Sequence, residues 1–466
     1  MTFALVKKHV QSESSQGSRI GLAKEAHAEK FRSVGDERGF GIEMEFPLVK
    51  SGAYGFGQVI SERQLKRIFR DMGSRDGWQR NPHGFGVEKG IDGYGGSIHA
   101  EFGVGTVEIA LPKANGLDHA NKMIAEFVTP LIKVAERSGA YVLGHGTQPV
   151  TQPGAALCLE SIPRYKMMLD TWGSSYRIDQ EGLTYGPTVN AALHFHVQTK
   201  DSEDAVRLAN VYNGLRPELL ALGANSSPVR GPHAGMADSR TTFYEDYLLE
   251  RNLAIAPIFR DFDHYFEHLM SLPMDLLKRE GEYYKVNEAV SLRDFMHRGI
   301  ASASRDGVGS VFAVRFEEQD IEVMEGLVRA DARLKSYTNT VEVRLFSEQA
   351  SRSEVMGLGA VIRGLAENLD RAQELAMRRS VDEITRLKND VAYNGVTNNE
   401  TVMMAAHEVL DVAFEGLLKI GENTDYLRPK YEGLARGEVP SDRSRRVFDE
   451  EGIKPLVESL RFRVDE

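Results

Sequence analysis

Three stretches of this 466-residue chain set two metal- or phosphate-binding groups two residues apart among hydrophobes: Glu43 and Glu45, His194 and His196, Glu342 and Arg344. A fourth stretch carries Glu101 and Glu108. Residues i and i+2 of a β-strand point to one face. Gly41-Ile-Glu-Met-Glu-Phe46 and Thr340-Val-Glu-Val-Arg-Leu345 therefore aim ionic groups to one side and hydrophobes to the other. The apolar side is what a sheet packed on a core requires. A row of carboxylates on the opposite side repels itself unless cations neutralise it. The pattern predicts a sheet whose concave face holds divalent metals and a polyphosphate.

Magnesium takes oxygen ligands and in phosphate chemistry bridges carboxylates to phosphate oxygens. Glu43, Glu45, Glu101, Glu108 and Glu342 can share two or three such ions, and His194 can complete a site or contact phosphate. Arg344 suits a developing charge on a transferring phosphoryl group. Each residue also has a plainer reading: a solvated Glu-x-Glu, a cross-strand ion pair, histidines satisfied on a half-buried strand. The recurrence of one uncommon device on several strands favours the functional reading.

The elements that position these groups follow from pattern. A strand is expected at about 40–50, then a helix opened by the capping box Ser61-Glu-Arg-Gln64 and stopping near Gly73. The glycine-rich stretch 84–105 reads as hairpins, 107–111 as a strand, and 115–138 as a helix kinked at Pro130. Strands are expected at 140–143, 188–198 and 340–346, with helices predominating after residue 200 and an irregular segment from 225 to 241. Thr397-Asn-Asn-Glu400 caps a helix that should end at Gly421. The fold class is α+β, an antiparallel sheet flanked by helices. A helical arm over 1–38, a catalytic domain over 39–370 and a helical region over 371–466 packed on it complete the expected organisation.

The net charge of -11 opposes nonspecific binding to nucleic acid or an anionic membrane. Cys158 is the one cysteine, so neither an intramolecular disulfide nor a thiolate zinc site can form. The N-terminus lacks the apolar core of a signal peptide, and no run reaches the roughly 18 apolar residues of a membrane helix. These features predict a protein of the cytoplasm acting on small molecules, with oligomeric state open. No Gly-x-x-x-x-Gly-Lys-Ser/Thr loop, Gly-x-Gly-x-x-Gly fingerprint or Gly-x-Ser-x-Gly elbow is present. Arg443-Ser-Arg-Arg446 reads as a solvated surface run.

Together, Gly41-Ile-Glu-Met-Glu45, Glu101-x6-Glu108 and Thr340-Val-Glu-Val-Arg344 resemble the glutamate–cysteine ligases and related carboxylate–amine ligases of the glutamine synthetase superfamily. Gly96-Ser-Ile-His-Ala-Glu101, Pro163-Arg-Tyr-Lys-Met-Met168 and Ala224-Asn-Ser-Ser-Pro228 with Ser239-Arg240 are similar to further segments of that family, over about residues 38–365. Glu101 stands where some relatives carry the shorter aspartate. The resemblance implies a glutamine synthetase-like antiparallel funnel that uses ATP with Mg2+ or Mn2+. ATP would phosphorylate the side-chain carboxylate of glutamate or an analogue, and an amine such as cysteine would attack the acyl phosphate. By position, Glu43, Glu45, Glu101, Glu108, His194 and Glu342 would hold metals. Arg344 would act in phosphoryl transfer with Glu43, and His196 with Arg344 would contact the nucleotide. Arg240, Asn190, Arg164 and Tyr165 would bind substrate. A phosphotransferase on the same scaffold and a nucleotide-binding regulatory protein without turnover are the competing readings. Replacing Glu43 or Glu342 with alanine is expected to abolish ATP turnover and leave the fold intact.

Overall fold

Along the first half of Phe40–Lys50 (β1) buried and half-buried residues alternate, Phe46 to Val49 are all buried, and the strand sits inside the main sheet. The computed structural model describes residues 19–35, 37–91, 94–175, 186–229, 234–241, 257–305, 311–396 and 399–465. Among these, the other strands of the main sheet are Gln79–Arg80 (β2), Gly86–Ile91 (β3), Tyr94–Ala100 (β4), Thr106–Ala110 (β5), Ala140–Val142 (β6) and Ala192–Gln198 (β7). Ala332–Lys335 (β12) and Thr340–Ser347 (β13) close the list, and the four strands between β7 and β12 lie in a second sheet. The order is β12-β13-β7-β1-β5-β4-β3-β2, and β6 pairs with the far end of β1. All these pairings are antiparallel.

Ile42, Met44, Val107, Ile109, Leu193, Phe195, Val197, Val341 and Val343 are all essentially buried on one face of this sheet. Helices Leu117–Arg137, Ser202–Gly214, Arg216–Gly223 and Arg352–Glu367 cover it. The Leu117–Arg137 helix runs through Pro130 without a break. Ser61 and Gln64 form the expected capping box at the start of Glu62–Gly73.

Helices predominate after residue 200, as expected, and a second sheet lies among them. Leu276–Arg279 (β8), Glu282–Val286 (β9), Ile300–Ser304 (β10) and Val311–Arg315 (β11) form it in the order β11-β10-β9-β8. Its strands are only four or five residues long, too short to show a clear hydrophobic period. The β8–β9 turn is the two-residue loop Glu280-Gly281, both at positive φ, as tight hairpins require.

At the N-terminal end, residues 19–29 are helical, while residues 1–18 of the expected arm lie outside the described residues. This helix is packed rather than loose: buried His27 bonds Glu325 at 2.8 Å beside Phe262 and Phe266. At the other end, Glu400–Lys419 is capped by the Asn399 side chain; Thr397 and Asn398 lie outside the described residues. The boundary expected at 370/371 falls inside the helix Leu369–Ala376. Arg445 and Arg446 are paired with Asp442 and Glu438, as a surface run would be. No helix among the described residues is long and apolar enough to cross a membrane.

Helices Arg352–Glu367 and Glu400–Lys419 meet at Gly364 and Gly416. A methyl on Gly416 would lie 1.9 Å from the Gly364 carbonyl oxygen, and one on Gly364 would lie 2.2 Å from the Ala413 oxygen. Backbone faces backbone here, so no rotamer change relieves the clash. Gly416→Ala is expected to destabilise the fold by about 3 kcal/mol, the upper range for overpacking. Chemical denaturation measures this, and a loss below about 1 kcal/mol would show that the helices slide apart freely.

Candidate functional site

Register decides which polar groups meet. Across the sheet, Arg333 faces Glu342 and Glu342 faces His196; one step along, His194 faces Glu43. Further along, Glu45 faces Glu108, which faces His99. Directly opposed residues share a face, so these rows lie together opposite the apolar core. Gly41 faces His196, and a side-chain carbon at Gly41 would come within 3.2 Å of the His196 Cβ. Its missing side chain leaves room for the imidazole.

The rows form the floor of a cavity of about 260 Å3. Ten of the expected residues line it: Glu43, Glu45, Glu101, Glu108, Arg164, Tyr165, Asn190, His194, Glu342 and Arg344. His196 lies beside it, with Nε2 3.2 Å from Glu43 and Nδ1 3.2 Å from the Thr340 hydroxyl. Arg240 is not among the lining residues. It is buried, and its guanidinium donates to the Arg344 carbonyl while its backbone N–H donates to Ser226 Oγ.

Among the described residues, the lining also includes four charged or imidazole groups that sequence reasoning did not single out: His99, Arg329, Arg333 and Lys335. Three of them belong to Arg329-x-Asp-x-Arg-x-Lys335, the same alternating device with basic residues. Arg333 Nε donates to one Glu342 oxygen and Arg344 to the other, each at 2.6 Å. Arg333 is itself held by the carbonyls of Gly326 and Val328 at 2.8 and 2.7 Å. Lys335 Nζ stands 3.7 Å from both Glu43 and Glu342. The protein's own cations thus relieve much of the carboxylate repulsion that the sequence pattern alone leaves unbalanced.

The floor divides electrically. On the basic side, burial would raise the Glu342 carboxyl, but Arg333 and Arg344 outweigh it and hold the group well below the usual range. Burial opposes ionisation of Glu43 as well, yet His196, His194 and Lys335 keep it well below. On the acidic side, burial and the neighbouring Glu101 and Glu108 push Glu45 well above its ordinary value. Glu108 is pushed up to about 7 by burial together with Glu101 and Glu43. Burial would lower the His99 imidazole, but its contacts with Glu101 and Glu108 raise it to about 11. His194 goes the other way, to about 3, through burial and the nearby Arg344.

Among the described residues, two groups place one ligand atom per residue within 4.8 Å of one another: Glu43, His196 and Glu342, and His99, Glu101 and Glu108. His194 Nε2 has no hydrogen-bond partner among the described residues, nor have the Asn190 side-chain oxygen and nitrogen, though both residues are buried. An imidazole with a bare nitrogen and clustered carboxylates are donors suited to divalent cations, and the adjoining guanidinium groups suit phosphate oxygens. The donor set therefore fits both a metal ion and a polyphosphate. Tyr165 donates to the Ala100 carbonyl at 3.0 Å, and Arg164 lies over the Tyr283 ring of β9 at 5.3 Å. Helix Pro163–Ser175 thereby ties one wall to the second sheet.

A family profile described as glutamate-cysteine ligase family 2 matches residues 39–459. Glutamate–cysteine ligase from Natronomonas pharaonis is 29% identical over 166 residues, covering 35% of this chain and 42% of that protein. The enzyme of the same name from Halobacterium salinarum is 32% identical over 139 residues, covering 30% and 36%. The matched segments thus span less than half the length of these curated relatives. A solved bifunctional glutathione synthetase from Pasteurella multocida shares the fold with a TM-score of 0.50 at 14% identity, over 94% of this chain and 52% of that one.

Proposed function

The chain belongs to glutamate-cysteine ligase family 2, and on that premise we propose that it is an ATP-dependent carboxylate–amine ligase. It joins the side-chain carboxylate of glutamate or an analogue to an amine such as cysteine, with Mg2+ or Mn2+, in the cytoplasm. The observation that carries this reading is the cavity floor, carboxylate and imidazole on one side, guanidinium and ammonium on the other. On this reading the main sheet is the funnel of the glutamine synthetase superfamily. Residues 39–370 form the catalytic domain and 371–466 its helical support.

Divalent cations held by Glu43, Glu45, Glu101, Glu108, His194 and Glu342 would neutralise phosphate oxygens and leave the γ-phosphorus open to attack. The chain's own residues do the positioning. Arg344, with Arg333 and Lys335 behind it, meets the charge of the transferring phosphoryl group. Arg164 pairs with an acid substrate, while the Asn190 carboxamide offers a donor and an acceptor. Arg240 reaches the acid only by leaving its bond with the Arg344 carbonyl. The substrate carboxylate oxygen bonds to the γ-phosphorus as the bond to ADP breaks. The amine nitrogen then bonds to the acyl carbon, the carbon–oxygen bond to phosphate breaks, and the amine gives up a proton. Aligning two anions is most of the work, as proximity arguments require.

The test is phosphate release from ATP and Mg2+ with glutamate, with and without a panel of amines including cysteine. Release that needs both glutamate and one amine, with a matching amide by mass, is the expected result. Release with an acid alone and a stable phosphorylated product would make the protein a phosphotransferase. ATP binding without release under every pairing would favour a regulatory protein.

A further inference from the structure

We propose that His99 is a metal ligand, making His99, Glu101 and Glu108 a mixed nitrogen–oxygen site that selects Mn2+ over Mg2+. The inference rests on the proposed function only in requiring that the cavity take divalent cations. His99 and Glu101 lie on one side of the chain at the end of β4, with Ile98 and Ala100 buried on the other. Glu108 stands opposite His99 on β5. His99 Nε2 lies 3.1 Å from Glu108 and 3.6 Å from Glu101. Its Nδ1 lies 3.5 Å from Ser97 Oγ, two residues back on the same face. A ligating histidine ordinarily has its second nitrogen occupied in this way, which turns the first towards the ion.

The second candidate group makes the contrast. In Glu43, His196 and Glu342, each Glu342 oxygen already accepts a guanidinium at 2.6 Å. Its carboxylate is therefore engaged before any ion arrives. Around His99, the two carboxylates meet an imidazole at 3.1 and 3.6 Å instead of a guanidinium, and an imidazole can itself ligate. Magnesium favours all-oxygen, partly hydrated sites, whereas an imidazole donor strengthens binding of first-row transition ions, of which Mn2+ also tolerates carboxylates.

The experiment titrates chelator-stripped protein with Mn2+ alone, reading free Mn2+ by electron paramagnetic resonance, and displaces it with Mg2+. Wild type should need about a hundredfold excess of Mg2+, as the donor set implies. His99→Gln should lose about tenfold in Mn2+ affinity with Mg2+ affinity unchanged, and should lose a nitrogen coupling in pulsed spectra. His99→Asp, which restores an all-oxygen set, should swing the preference towards Mg2+. Unchanged Mn2+ affinity and nitrogen coupling in His99→Gln would overturn the proposal. Phosphate release with Mg2+, measured on the same samples, keeps that failure apart from failure of the ligase reading.

Discussion

Replacing Glu342 with alanine is expected to abolish turnover and to cost about 3–5 kcal/mol of stability, the penalty for stranding a buried charge. The sequence pattern leads one to expect an intact fold, and the structure revises that expectation for this residue. Glu342 is fully buried and each of its oxygens accepts a guanidinium at 2.6 Å. Its loss leaves Arg333, itself buried, facing Arg344 with no carboxylate between them. Glu43 differs, because it is partly open to the cavity and its partners are two imidazoles and a lysine. Glu43→Ala should therefore lose activity with little change in stability. Denaturant midpoints beside phosphate release separate the two effects. A Glu342→Ala protein as stable as wild type would show that the double clamp carries no energy.

Arg344→Ala should lower kcat by about 10^3, in the range found when a guanidinium serving phosphoryl transfer is removed. Here the fold should survive, at a smaller cost than Glu342→Ala, because the carboxylate left behind keeps a partner. Glu342 keeps Arg333 at 2.6 Å and Lys335 at 3.7 Å after the substitution. Arg344→Lys should recover little, since a point charge on a flexible stem does not reproduce a planar fork. Single-turnover cleavage of ATP reads the step directly. A normal rate in either variant would remove Arg344 from the chemistry.

Much of the site face is legible in sequence because strands carry a period of two. Glu43 with Glu45, His194 with His196, and Glu342 with Arg344 announce themselves against buried neighbours such as Met44, Phe195 and Val343. Register is not legible: that Glu45 meets Glu108 and Glu108 meets His99 depends on strand order across the whole sheet. Arg329, Arg333 and Lys335 follow the same two-residue spacing, but Ala330 and Ala332 between them read as helix as easily as strand. Arg240 sits in a segment without regular period, so only tertiary structure shows its bond to the Arg344 carbonyl. In the second sheet, the signal is the Glu280-Gly281 turn rather than any apolar alternation.

Among the described residues, five carboxylates and five guanidinium or ammonium groups line the cavity. On the basic side of that lining the carboxylates of Glu43 and Glu342 are already held in internal ion pairs. A cation bound alone at Glu342 would draw that carboxylate away from Arg333 and Arg344 and leave them uncompensated. A polyphosphate arriving alone does the reverse. Uptake of the two together is an ion exchange that conserves the site's charge, so each should raise the affinity for the other by the same factor. Metal affinity measured without nucleotide is then a lower bound on the affinity at work.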